Sequence, residues 1–118
     1  MRILHVEDDA DTRTLVAFVL QGEGWEVVSV DNSKAGLDQA NAGEFDLYLI
    51  DNWIGGDDGN ELCLGLRTID PHIPILFYSG AVYPLDVETA AASGAQGYLE
   101  KPTTPEALIQ EISKLTGK

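Results

Sequence analysis

Acidic residues close two apolar runs of this chain, and their chemistry suits cation binding or attack on phosphorus. Glu7 and Asp8 follow the run Ile3–Val6, and Asp51 follows the run Leu47–Ile50. Carboxylate oxygens are good ligands for hard cations such as Mg²⁺. A carboxylate can also act as a nucleophile and take a phosphoryl group as an acyl phosphate. Three carboxylates in one place would repel one another unless a cation lay between them. The sequence therefore predicts a metal-dependent site if the two runs are neighbours.

A hydroxyl and an amine follow two other strand-like runs. Ser79 comes after Ile75–Tyr78, and Lys101 comes shortly after Gly97–Leu99. Phosphoryl transfer depends mainly on positioning and on neutralising the charge of the phosphoryl oxygens. An ammonium can neutralise that charge, and a hydroxyl can donate a hydrogen bond to it. We therefore expect Asp51 to accept a phosphoryl group, with Lys101 and Ser79 assisting.

The strand-like runs alternate with helical patterns along the whole chain. A fifth run, Trp25–Val30, lies between the first two helical patterns. The first helix is predicted to begin at Asp9 or Asp11 and to carry Leu15, Phe18 and Val19 on one face, the pattern of a core-facing stripe. The last helix has the clearest start, where a threonine N-cap precedes a proline at the first helical position. Five strands and five helices are predicted in all.

This alternation predicts a single α/β domain over residues 1–118, with a doubly wound parallel sheet and helices on both of its faces. Of the common strand orders we favour the flavodoxin-like order 2-1-3-4-5, which places the first strand beside the third. Ligands of open α/β sheets bind outside the carboxyl ends of the strands. That order would give the acidic residues a common site.

The composition of the chain limits which partners it is expected to bind and indicates in which cellular compartment it works. The formal net charge is −13, and a chain this acidic is repelled by nucleic acid and by anionic membrane surfaces, so neither is expected as a partner. The single cysteine, Cys63, is expected to be a buried small hydrophobe, and its isolation excludes an intramolecular disulfide. His5 lies within an apolar run and is expected to be a satisfied core group. No signal peptide or long apolar span is evident, so a cytoplasmic protein is predicted.

The order of these motifs resembles the receiver domain of two-component response regulators, over essentially the whole chain. The pieces that carry the resemblance are Glu7-Asp8, Asp51, Asp58-Gly59, Ser79-Gly80 and the run Gly97 to Pro102. Each piece is weak alone, but five in order at strand ends are highly specific. The resemblance implies that Asp51 accepts a phosphoryl group from a histidine kinase or a histidine phosphotransfer protein. It also implies that the domain assists its own phosphorylation and dephosphorylation, without acting as an enzyme on a separate substrate.

The resemblance further implies a requirement for Mg²⁺ and a set of ligands for it. Asp8 and Asp51 would bind the ion through their carboxylates, and Trp53 through its backbone carbonyl. Glu7 would contact the ion through water. The Trp53 side chain is not needed for that role, although a bulky indole beside the site would shield an acyl phosphate from water.

A switching pair is also implied by the resemblance. Ser79 would move toward the phosphoryl group, and Tyr98 would turn inward behind it, which would change a protein-interaction surface for an unknown downstream protein. The Lys101–Pro102 peptide bond would be cis, as is usual in the family.

Other functions compete with this interpretation. A phosphorylation-independent interaction module of the same fold is the main alternative, and Trp53 with the glycine pair Gly55-Gly56 supports it modestly. A Mg²⁺-dependent phosphohydrolase ranks lower, because no cap domain or second substrate pocket is evident. A flavin-binding protein ranks lower still, because acidic residues rather than a phosphate-cradling loop follow the first strand.

Overall fold

The computed structural model describes residues 1–118 and confirms the predicted alternation of strands and helices. The elements in chain order are β1 (Arg2–Val6), α1 (Ala10–Gln21), β2 (Glu26–Val30), α2 (Ser33–Ala42), β3 (Leu47–Ile50), β4 (Trp53–Ile54), β5 (Asp57–Asp58), α3 (Gly59–Ile69), β6 (Ile75–Ser79), α4 (Pro84–Ser93), β7 (Gly97–Glu100) and α5 (Pro105–Thr116). The five longer strands form one parallel sheet in the order β2-β1-β3-β6-β7. The predicted flavodoxin-like order is therefore confirmed, with β6 and β7 as its fourth and fifth strands.

The strand register places the two acidic ends side by side. In the β1–β3 pair Ile3 lies opposite Leu47, and Val6 lies opposite Ile50. The residues that follow Val6 and Ile50 therefore leave the sheet at the same edge and from adjacent strands. Since both strands are parallel, that edge is the carboxyl edge, where open α/β sheets place their ligands.

Each face of the sheet carries its own apolar core. Successive side chains of a strand point to opposite faces, so Leu4 packs on the side of α2 and α3 while Ile3 packs on the side of α1 and α5. Both residues are fully buried. Burying one such side chain contributes about 2 kcal/mol of hydrophobic free energy. The edge that carries the acidic residues is therefore held by two packed layers.

Helix α1 begins where the sequence predicts, but its buried face is a different one. Asp9 caps the helix by accepting the backbone N–H of Thr12 at 2.9 Å. Leu15 and Phe18, which were predicted to lie on the core face, are 62% and 77% exposed. The buried residues are Val16 and Leu20. Residues 15–20 are apolar all round the helix, so periodicity does not select a face. The prediction was wrong for Leu15 and Phe18, whereas Val19 is partly buried against the core.

Cys63 is completely buried on α3, as predicted, and its Sγ lies 3.4 Å from the carbonyl oxygen of Ser93. Burial raises the pKa of the Cys63 thiol to about 11. We expect a thiol-specific reagent at neutral pH to react with the folded protein at least about tenfold more slowly than with the urea-unfolded chain, since only the accessible thiolate is reactive. Equal rates in the two states would show that Cys63 lies outside the core.

His5 is buried, as expected, but it is not satisfied. The residue is 2% exposed and its Nδ1 has no hydrogen-bond partner. Burial, with a smaller contribution from Lys101, lowers the pKa of His5 to about 3, so the ring is neutral beneath the site. None of the helices is long and apolar enough to cross a membrane.

Candidate functional site

Three strands bring two carboxylates and an ammonium together at the carboxyl edge of the sheet. Lys101 Nζ lies 2.7 Å from Asp51 Oδ2 and forms a second ion pair with Glu7 Oε1. The side chains of Lys101, Asp51 and Glu7 are 21%, 14% and 2% exposed. Glu7 also accepts the backbone N–H of Asp9 through Oε2 at 3.2 Å. A buried carboxylate is therefore compensated by a charge and by a hydrogen bond, and Asp51 keeps an accessible edge.

The charges of this cluster depend on one another. Burial works against the protonated form of Lys101, but the hydrogen bonds to Asp51 and Glu7 outweigh it and raise the pKa of Lys101. Burial raises the pKa of Glu7, and the hydrogen bond from Lys101 opposes that rise. The ammonium therefore stays charged at neutral pH, and it is the group that makes a carboxylate tolerable at the Glu7 position.

Replacing Lys101 by methionine is expected to reduce the free energy of unfolding by about 2 kcal/mol at pH 7.5. The substitution keeps the unbranched aliphatic part of the side chain but leaves the Glu7 carboxylate buried without its charge partner, which is costly. Urea unfolding of wild type and Lys101→Met in the presence of a metal chelator measures the difference. The exposed pair of Lys34 and Asp38 on α2 provides a control, because Lys34→Met should change stability by less than about 0.5 kcal/mol.

The segment after β3 forms a tight hairpin rather than an irregular loop. Strands β4 and β5 pair antiparallel, and Gly55 and Gly56 join them with φ of 58° and 89°. Both values lie in the left-handed region that glycine adopts without steric cost. The Gly55 N–H donates to Asp8 Oδ2 at 3.0 Å. The hairpin therefore holds Asp8 at the exposed rim of the site, and it presents the Trp53 side chain with 59% of its surface exposed.

The oxygen donors of the site suit a magnesium ion. No three acidic, histidine or cysteine side chains converge into a ready-made metal cage. Magnesium typically keeps several waters and uses only one or two carboxylates, with phosphate oxygens completing its shell. Asp8 is exposed, and only one of its carboxylate oxygens accepts a hydrogen bond. Asp51 Oδ1 accepts a single hydrogen bond, from the backbone N–H of Asn52 at 2.6 Å. Both carboxylates therefore keep lone pairs for such an ion.

The two predicted switch residues make no hydrogen bond to Asp51, but both bond to the same neighbour. Ser79 is 2% exposed, and its Oγ accepts the backbone N–H of Ala81 at 3.1 Å. The Tyr98 hydroxyl donates to the carbonyl oxygen of Ala81, and its ring stacks on Phe77 with the centroids 5.5 Å apart. Ala81 thus links the hydroxyl beside the site to the aromatic side chain of β7. The peptide bond that follows Lys101 is cis.

Three residues contribute to this site in ways that were not predicted, although Gly59 was among the motif residues. Arg13 Nη1 donates to the carbonyl oxygens of Glu7 and Asp8 at 2.8 and 2.9 Å, and it is the only basic residue of α1, which was an available signal. Asn52 is buried and accepts a hydrogen bond from the side chain of Asn60. A Cβ atom on Gly59 would lie 2.0 Å from the carbonyl oxygen of Asp51. Only the fold reveals that close approach.

Comparisons with known proteins find one family along almost the whole chain. The model of the response regulator receiver domain matches residues 3–113. The DNA-binding response regulator MtrA of Mycobacterium tuberculosis is 32% identical over 111 residues, which are 94% of this chain and 48% of MtrA. The chain thus spans about half the length of the curated relatives it matches.

Solved structures show the same fold. The chemotaxis response regulator CheY4 of Vibrio cholerae has a TM-score of 0.92 at 28% identity, over 97% of both chains. The receiver domain of the sensor histidine kinase PA1611 of Pseudomonas aeruginosa, solved with a magnesium ion coordinated in its active site cleft, has a TM-score of 0.91 at 24% identity. It covers 99% of this chain and 98% of that domain.

The expectation that nucleic acid is excluded as a partner was wrong. Relatives such as MtrA are named DNA-binding response regulators, and about half of their length lies outside the part that this chain matches. The net charge of −13 describes the receiver part alone. It carries no information about the remainder of such a protein, so it does not decide whether DNA is a partner.

Proposed function

The chain belongs to the response regulator receiver family, and from that premise we propose that it is a phosphoacceptor signalling domain of a two-component phosphorelay. Asp51 would receive the phosphoryl group from a phosphohistidine on a histidine kinase or a histidine phosphotransfer protein. The observation that carries the proposal is the contact at the carboxyl edge, where Asp51 stays accessible while the ammonium of Lys101 lies 2.7 Å from its carboxylate.

The residues of the site support a direct transfer. A carboxylate oxygen of Asp51 attacks phosphorus, the bond between phosphorus and the imidazole nitrogen of the donor breaks, and the histidine leaves with the electron pair. Lys101 offsets the negative charge of the arriving group, and the Ser79 hydroxyl donates to one of its oxygens. The same groups would assist the attack of water on the acyl phosphate, so the domain acts on itself and needs no separate substrate.

Asp8, Asp51 and the backbone carbonyl of Trp53 would hold Mg²⁺, and Glu7 would contact it through water. The bound ion would supply positive charge to the phosphoryl oxygens. Because the exposed Asp8 carboxylate is already held by the Gly55 N–H, the hairpin positions this ligand before any ion arrives. Arg13 fixes the backbone on the other side of the acidic pair through its bonds to two carbonyl oxygens.

Phosphorylation would be transmitted through Ala81. Moving the Ser79 hydroxyl to a phosphoryl oxygen removes its hydrogen bond to the Ala81 N–H, and the same residue accepts the hydroxyl of Tyr98. A shift of Ala81 therefore changes the hydrogen bond that holds the Tyr98 hydroxyl on β7. Phosphoryl contacts that exist in only one arrangement would shift the population toward it. Nucleic acid is a proposed partner as well, reached through an effector region like that of the DNA-binding relatives.

Intact-mass measurement after incubation with a small phosphodonor and Mg²⁺ tests this proposal. We expect one phosphoryl group to be added, and we expect its addition to slow strongly when a chelator replaces the metal. No gain in mass with any small donor or with a cognate kinase would contradict the proposal and would favour an interaction module that works without phosphorylation.

A further inference from the structure

A groove opens at the amino edge of the sheet, the pole of the molecule opposite Asp51. It lies between the C-terminal ends of α2 and α3 and the start of β3, and its volume is about 510 Å³. Tyr48 is in its wall, three residues before Asp51, which is roughly 10 Å along the strand. The groove is therefore separate from the phosphoacceptor site, and the proposed function makes no use of it.

Acidic side chains line the groove, although the guanidinium groups of Arg2 and Arg67 donate to backbone carbonyl oxygens of its lining residues. Glu44, Asp46 and Asp70 line it, and none of its lining residues is basic. The C-terminal ends of two helices point toward it, and a helix C-terminus carries partial negative charge. Asp46 is already satisfied, because one oxygen accepts the Arg2 backbone N–H and the other pairs with Lys118. Glu44 makes no side-chain hydrogen bond or ion pair, so its charge is available to a ligand.

Asp70 offers a second available oxygen. Its Oδ1 accepts the backbone N–H groups of His72 and Ile73 at 2.7 and 3.0 Å, while Oδ2 has no partner. Those two hydrogen bonds lower the pKa of Asp70, so the carboxylate is charged at neutral pH.

The Tyr48 hydroxyl opens into the groove without a partner in the chain, which points to a ligand independently of these charges. Tyr48 is only 1% exposed, and its hydroxyl makes no hydrogen bond although it lines the groove. Burial and the nearby Asp70 raise the pKa of Tyr48, so it stays protonated. Its oxygen can accept a hydrogen bond that no group of this chain supplies.

A guanidinium group of the chain itself already contacts residues that line the groove. The guanidinium of Arg2 lies 4.4 Å from the ring centroid of Phe45, and its Nη1 donates to the carbonyl oxygen of Glu44 at 3.2 Å. Phe45 and Tyr48 pack with tilted rings 6.1 Å apart. A planar cation with a fork of N–H donors matches aromatic faces and carboxylates together, which a point-like ammonium does less well.

We propose that this groove is a binding site for a guanidinium group, held by the carboxylates of Glu44 and Asp70 and by the hydroxyl of Tyr48. The group can come from a small molecule or from an arginine side chain of a protein. In both cases it supplies the N–H donors that these three acceptors lack.

NMR titration of the whole domain with ethylguanidinium, agmatine and a capped Gly-Arg-Gly peptide tests the proposal, at 150 mM NaCl to screen general attraction to the acidic surface. We expect saturable shifts of the Phe45, Tyr48 and Asp70 amides, with a Kd on the order of 1 mM for agmatine. The neutral isostere ethylurea should bind at least about tenfold more weakly. A peptide that binds as tightly as agmatine would identify a partner's arginine as the source, and one that fails to bind would identify a small molecule.

Two conservative variants separate the proposal from a general charge effect. Tyr48→Phe removes only the unpartnered hydroxyl, and Asp70→Asn keeps the Oδ1 acceptor of its turn, so both should fold. Each should weaken agmatine binding about fivefold to tenfold, whereas Asp38→Asn, on the exposed face of α2, should not. Shifts that are absent or unsaturable, equal binding of ethylurea, or unchanged binding by Tyr48→Phe and Asp70→Asn would each overturn the proposal. Phosphorylation of Asp51 should be unaffected in both variants, so the two sites are tested separately.

Discussion

Replacing Asp51 by asparagine is expected to abolish phosphoryl uptake, with a loss of at least about 100-fold in the rate of mass increase from a small phosphodonor. An amide oxygen is a poor nucleophile, and no acyl phosphate can form on it. The structure indicates that the fold survives the change. The asparagine oxygen can still accept the backbone N–H of Asn52, and Lys101 keeps its pairing with Glu7.

The same substitution at Asp57 provides the control for that result. Asp57 lies in β5 of the adjacent hairpin and is exposed, with no ion pair. Asp57→Asn should therefore be phosphorylated at close to the wild-type rate, and both variants should unfold within about 1 kcal/mol of wild type in urea. Continued phosphoryl uptake by a folded Asp51→Asn protein would show that Asp51 is not the phosphoacceptor.

Replacing Gly59 by alanine is expected to cost about 3 kcal/mol or more of unfolding free energy. The added Cβ would lie 2.0 Å from the carbonyl oxygen of Asp51 and 3.0 Å from the Cα of Asn52, and backbone atoms cannot rotate away as a side chain does. The N–H of Gly59 also donates to the carbonyl oxygen of Asn52 at 2.7 Å. The start of α3 must therefore move away from the end of β3, which also displaces the phosphoacceptor.

Urea unfolding and the rate of phosphorylation measure both consequences. Gly65→Ala is the matched control, because Gly65 lies on the same helix and its added Cβ would meet only the flexible end of Leu37. In that variant the gain in helix propensity, about 1 kcal/mol, offsets the tighter packing. A Gly59→Ala protein as stable and as active as Gly65→Ala would contradict the close packing of α3 against the end of β3.

Much of the fold was predictable because local signals agree with one another. Four-residue apolar runs such as Leu47–Ile50 are too short for buried helices, and the acids that follow them mark strand ends. The N-cap of α5 and the proline after it fixed the start of that helix to the residue. The strand order followed from giving the acids after β1 and β3 one common edge, a chemical argument rather than a periodic one.

Other features required the three-dimensional arrangement. The face of α1 was mispredicted, since Leu15 and Val16 are equally apolar and only the position of the helix over the sheet distinguishes them. The ion pair of Glu7 with Lys101 joins residues 94 positions apart, and nothing local marks it. Likewise, the close approach of Gly59 to Asp51 depends on the hairpin between them. The glycine pair is compatible with that hairpin, but the sequence does not predict it.

The net charge misled about nucleic acid for a different reason. A net charge of −13 describes the field around this domain, and that field does oppose contact with DNA by the domain itself. The inference extended it to every partner of the protein. Relatives about twice as long as this chain are named DNA-binding response regulators, and the charge of one domain does not define what the other half of such a protein binds.

Reduction with borohydride identifies the residue that carries the phosphoryl group. Borohydride reduces an acyl phosphate to an alcohol and so marks the carboxylate that carried the phosphoryl group, and peptide mass analysis then locates the mark. We expect the mark on Asp51 alone. A mark on Asp8, Asp57 or Asp58 instead, or no mark in protein that demonstrably carries a phosphoryl group, would contradict it.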